Sequence, residues 1–293
     1  MRWLMWAMAL LGGGCLCADP GAADPTEASA RTLADFRATS RAYRQDHEQE
    51  RYDASVDPNV TLGDLGPQVL LLHEVKRLTA REAQALAQFE GTSIHLPGLG
   101  ALDPPTAAAL AEWSGNHLYL DGLRTLEPST AGALAQWGHP LSALYLSGLP
   151  SLDPSTASAL AEWRGFALVL DGLEALDEDT ARALTGVQAT ALTLNGLERL
   201  DPQTAAALAE GGRGHLELGG LQALDLATAA ALAGWDGLYL HLDGLETLDE
   251  ATATALTEWD GQTIHLKGLK TLDEATATAL ARKDGQVLLP DDL

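Results

Sequence analysis

Cysteine is nearly absent from this chain: there are two, Cys15 and Cys17, and both stand close to the N-terminus. Beyond them no disulfide can form, so a stable domain must rest on packing. Aromatic residues are also few, 5% of a chain that is 46% hydrophobic, so a core must be mainly Leu and Ala. Basic residues are outnumbered, 18 Lys and Arg against 41 Asp and Glu, for a formal charge of −23. Such a surface repels phosphate backbones and anionic lipid, which argues against nucleic acid as a partner. The signatures of catalysis are missing too. There is no G-x-S-x-G, no G-x-G-x-x-G and no thiol past Cys17, so no enzyme is expected.

What is present begins with "MRWLMWAMALLGGGCLCADP". Arg2, an apolar run and small residues after it read as a secretory signal over residues 1–18. The run is too short to span a bilayer, so no membrane insertion is expected once it is removed. The expected destination is the periplasm, the cell surface or the extracellular space. "LGGGC" offers a second outcome, a lipid anchor on Cys15, although Gly12 stands where such signals carry a large aliphatic residue.

From residue 68 the chain repeats. A Leu-x-Leu or Ile-x-Leu unit begins at Leu70, Ile94, Leu118, Leu144, Leu168, Leu192, Leu216, Leu240 and Ile264. Neighbouring units are 24 residues apart, except that Leu118 and Leu144 are 26 apart because of an insertion at "WGHPLSA". Each unit approximates L-x-L-x-G-L-x-x-L-D-x-x-T-A-x-A-L-A-x-W-x-G. Alternation in the first part predicts a strand with Leu118 and Leu120 inward and Tyr119 outward. Gly122 is expected to permit a turn conformation. Asp103, Asp153 and Asp201, each followed by proline, predict helix N-caps. The Thr-Ala-x-Ala-Leu-Ala run predicts a short helix, which Gly115, Gly165, Gly237 and Gly261 are expected to end. One unit cannot bury its own leucines, so stacking of units is required.

The Leu-x-Leu strands, corner leucines and 24-residue period resemble the leucine-rich repeat family. That resemblance implies an α/β fold: a right-handed solenoid of about nine strand–corner–helix repeats over 68–293, with a parallel sheet on its concave face. It covers roughly three quarters of the chain. The sequence departs from the family where a polar ladder usually follows the strand. Gly122-Leu123, Gly148-Leu149 and Gly172-Leu173 stand there, so an apolar ladder is expected instead. Residues 19–67 are read as an N-terminal helical cap and linker, with a helix within 24–52 and a loop over 53–67. Lys283, in place of the usual tryptophan, is expected to solvate the last rung.

The column of Phe89, Trp113, Trp137, Trp163, Trp235 and Trp259 is read as core. "TGVQA" and "EGGRG" interrupt it, and the helices beside them are expected to be short or loose. The outward strand positions vary while the flanking leucines do not, and this contrast is the functional hint. The candidate ligand-binding residues are His95, Tyr119, Asp121, Tyr145, Asp171, His241 and His265, which suit a protein or glycan partner. The other reading is a structural or envelope-associated spacer without a ligand. Glu217, His241 and His265 fall in one column on consecutive rungs, and two imidazoles with a carboxylate could in principle grip a divalent transition metal, but solvated polar residues on an exposed sheet are the commoner outcome. No metal ligand or cofactor is assigned.

Overall fold

A computed structural model describes residues 31–46, 67–212 and 214–291. The expected signal segment, the Cys15 anchor and nearly all of the 53–67 loop lie outside the described residues.

The chain forms an α/β solenoid. Ten three-residue strands, from β1 (Val69–Leu71) to β10 (Gln286–Leu288), make one parallel sheet in sequence order. Each pairs in register with its sequence neighbours, so Leu118 aligns with Leu144 and Tyr119 with Tyr145. The insertion before Leu144 leaves this register intact and pushes Leu141 out to 69% exposure. Between strands run nine helices of seven or eight residues, α2 (Ala80–Ala87) to α10 (Glu274–Leu280). Leu118, Leu120 and Leu123 bury completely, and Ala131 and Leu134 of α4 (Pro128–Ala135) meet them in one continuous core.

The conspicuous letters of the repeat each serve an inter-rung or capping bond. Asp153, Asp201 and Asp249 accept the N–H of the third helical residue, always a threonine. On several rungs the threonine hydroxyl also reaches back to the previous rung, as from Thr156 to the Leu126 carbonyl at 3.2 Å and from Thr180 to that of Leu152 at 3.3 Å. The five tryptophans of the repeats are buried, and three of their indoles donate backward: Trp113 to the Phe89 carbonyl and Trp137 to that of Trp113, both at 2.7 Å, and Trp259 to that of Trp235 at 2.8 Å. Trp163, which follows the insertion, keeps a buried indole N–H without a partner among the described residues.

Four expectations are corrected. Gly122, Gly148 and Gly172 do not have positive φ. A Cβ at Gly172 would lie 2.0 Å from the Ser147 carbonyl oxygen, so glycine is required for rungs to approach. Gly115 and Gly261 come after their helices have ended, and a Cβ there would strike the ring of the tryptophan two residues earlier. The helices beside the interrupted tryptophan column, α6 (Glu178–Leu184) and α7 (Pro202–Ala209), are as long as the rest. The missing rings leave a cavity of about 30 Å³ between Val187, Gly211 and Trp235 instead. Lys283 is buried. Its ammonium donates to the Gly261 carbonyl at 2.8 Å and lies over the Trp259 ring, doing for the last rung what an indole N–H does elsewhere.

At the other end, α1 (Leu33–Asp46) packs on the first strand through fully buried Phe36 and Ser40. Arg31 and Glu82 form an ion pair at 2.7 Å, and Glu82 closes a capping box with Thr79. Burial opposes ionisation of Glu82, but bonds from Arg31 and Thr79 outweigh it and hold its pKa at about 2.

Candidate functional site

Because strand residues alternate and the rungs are in register, the residue between the two core leucines forms a column on the outward face. The His95 and Tyr119 rings stack at 3.8 Å between centroids, and Tyr119 and Tyr145 do the same, both pairs within 12° of parallel. Stacking covers the ring faces. Tyr119 and His95 are each only 8% exposed although they point away from the core. What this column presents to solvent is ring edges. His117 lies beside both tyrosines, at 6.4 and 6.3 Å, and burial lowers its pKa. Farther along, Ala143, Ala167, Val169 and Ala191 join Tyr145 in a small apolar cluster separate from the main core.

A second polar group begins at β7 (His215–Glu217) and continues through β8 (Tyr239–His241) and β9 (Thr263–His265). His215 stacks on Tyr239 at 4.3 Å, and His241 on His265 at 3.8 Å. Burial is the main cause that lowers the pKa of both His241 and His265, with His215 adding to it at both and His241 adding to it at His265. The seven candidate residues therefore form two groups. Tyr145 and His241 are four rungs apart, roughly 19 Å at about 4.8 Å per rung.

Asp121 and Asp171 have a structural duty. Asp121 Oδ1 accepts the Ser147 N–H at 2.9 Å, and Asp171 Oδ1 accepts the Asn195 N–H at 2.9 Å. Asn195 and Asp243 repeat the pattern toward Gly219 and Lys267. This is a polar ladder one residue after the strand leucine, so the expected apolar replacement is corrected. In each of these rungs it is Oδ1 of the carboxylate that accepts the amide.

The proposed column partner of His241 and His265 was Glu217, yet its carboxylate is engaged with the Asn195 side-chain amide at 3.3 Å. Asp243 takes that place. One ligating atom each from His241, Asp243 and His265 lies within 4.8 Å of the others. Asp243 stands two residues after His241, so strand alternation carries both to the same face. That spacing is present in the sequence. His117, His215 and Tyr239 were also missed, being outward residues at the first strand position.

No family model matches the chain, and no curated protein matches it. Among solved structures, the chain is similar to one in the Toll–Spatzle complex, a molecular hub in Drosophila development and innate immunity. The identity is 12% and the TM-score 0.47, over 77% of this chain and 30% of that one, so this chain spans under a third of its length.

Proposed function

We propose that this chain is an exported recognition scaffold that binds a protein through the outward face of its sheet. The observation that carries the reading is the contrast between the two faces of each strand. Inward positions are leucine or isoleucine on nearly every rung and have almost no exposure, whereas outward positions pass from aromatic and imidazole to small apolar and then to acid and imidazole. Rigid, in-register display of changing side chains suits recognition, because little conformational entropy remains to be lost on binding. A protein fits better than a glycan, since a sugar stacks on an open ring face and these faces are covered by neighbouring rungs. The charge of −23 favours a partner with a basic contact surface. Export rests on Arg2 and the apolar run after it.

The mature chain, used as bait in envelope or extracellular extract, tests this. Changing Tyr119 and Tyr145 together to Ala should weaken capture of its partner at least about tenfold, or 1.4 kcal/mol, with folding kept. The mutual stacking of these rings also suits a spacer whose outward residues only cover each other. Unchanged capture with a lowered melting point would establish that second reading and sink the first.

A further inference from the structure

We propose that His241, Asp243 and His265 form a binding site for a late divalent transition-metal cation of the zinc type. Two imidazoles and one carboxylate are the donor set such ions take, while Mg²⁺ and Ca²⁺ need oxygen ligands throughout. The geometry is close to that required. The ligating atoms lie within 4.8 Å of one another, and ligands about 2.1 Å from a tetrahedral zinc stand roughly 3.4 Å apart. Small rotations of side chains on a face with no backbone to displace close that difference.

Three independent features favour an ion there. First, His241 Nε2 is buried without a hydrogen-bond partner among the described residues, a costly arrangement for a ring nitrogen unless something binds it. Second, the His241 and His265 rings stack at 3.8 Å between centroids, so two imidazoles, the ligand type such ions take, stand side by side on adjacent rungs. Third, Asp243 is already oriented. Its Oδ1 accepts the Lys267 N–H at 2.8 Å, which fixes the carboxylate and leaves Oδ2 to ligate. This is the kind of outer bond that holds metal-binding carboxylates in place. Other charged groups face the cluster as well. His215 and Lys267 oppose positive charge at His241, and Asp243 favours it. Glu217 is in register with His241 but bonded to Asn195. Three protein ligands leave a fourth position for water or a donor from outside.

The test is titration of the apo chain with zinc at neutral pH, followed by heat release and melting temperature, with Co²⁺ absorption reporting the coordination. The expected result is one saturable equivalent that raises the melting point. Asp243→Asn should bind at least about tenfold more weakly, with metal-free stability near that of the parent, because Asn195 already fills the same ladder role toward Gly219 at 2.7 Å. His265→Gln should do likewise, and Glu217→Gln should bind as the parent does. No heat with the parent chain overturns the site. So does binding that survives both Asp243→Asn and His265→Gln, which would place the ion elsewhere. Loss of binding in Glu217→Gln with retention in Asp243→Asn would overturn this donor set.

Discussion

Ser40 Oγ accepts the amide N–H of Leu71 at 2.9 Å, in a fully buried position. Leu71 lies on the first strand of the sheet, so among the described residues no earlier rung takes that donor. A hydroxyl from α1 takes the place of a missing strand, and the sheet's open edge is closed without a β partner. Ser40→Ala removes the acceptor and leaves a buried donor alone, which should cost about 1–3 kcal/mol. Urea midpoints would show it, and amide exchange at Leu71 should speed up more than at mid-sheet amides. An unchanged midpoint would mean that water replaces the hydroxyl.

Glycines separate into two kinds. Gly172→Ala drives a Cβ to 2.0 Å from the Ser147 carbonyl oxygen and 2.7 Å from its carbon, both backbone atoms. The rungs must part, so a loss of at least about 1–3 kcal/mol is expected. Gly132 sits inside α4, where the nearest atom to a new Cβ is the Ala159 Cβ at 4.0 Å. Gly132→Ala should therefore stabilise, by up to about 1 kcal/mol from helix propensity. Equal effects at both positions would contradict the account of rung spacing.

Leu146 is fully buried, so Leu146→Ala should cost roughly 2–5 kcal/mol, and Tyr145→Ala considerably less. The tyrosine is half-buried and loses chiefly a stacked neighbour, worth about 0.5–1.5 kcal/mol beyond its area. Calorimetric melting points compare them directly. Similar losses at the two sites would mean that the outward column is a second core.

The pH dependence has two stages. Burial lowers the pKa of His117, His241 and His265. Above about pH 6.5 these rings are neutral in both states and contribute nothing to the slope. Below it the unfolded chain takes up protons that the folded chain resists, so stability falls until the folded rings also titrate. A second decline comes with the carboxylates. Glu82 contributes fully above its unfolded value of about 4.3 and loses that contribution as pH falls toward its folded value of about 2. Asp201, Asp225, Asp249 and Asp273, lowered mainly by bonds from their threonines, follow the same sign. Melting points in chelator from pH 8 to 3 should be level, then sag, then drop steeply. A level trace between pH 7 and 5 would refute the histidine part.

Periodicity made the architecture legible because it depends on which residues recur, and recurrence is visible in one dimension. The strands, the Asp caps of α3 (Pro104–Leu110), α5 (Pro154–Leu160) and α7, and the buried tryptophans were all readable this way. Functions that depend on the neighbouring rung were not. Gly172 looks like a turn residue until the Ser147 carbonyl is seen against it. Asp121 looks like a free ligand until the Ser147 amide is found on it. Lys283 reads as solvated because lysine usually is, and only the waiting Gly261 carbonyl explains its burial. At the site, the column arrangement was legible, but the choice of Asp243 over Glu217 was not. It depends on Asn195, which is distant in sequence from both His241 and His265.

The column of buried tryptophan rings is interrupted between Trp163 and Trp235, where Val187 and Gly211 occupy the positions. A stack of rungs coupled only to nearest neighbours behaves like a row of linked springs, and its weakest link decides where it parts. The small cavity between α6 and α7 is where that link is expected. Heat or tension should divide the molecule there into two halves that each stay closed. The aromatic outward group belongs to one half and the imidazole–carboxylate group to the other, so one broken seam would leave two independent surfaces on a single thread.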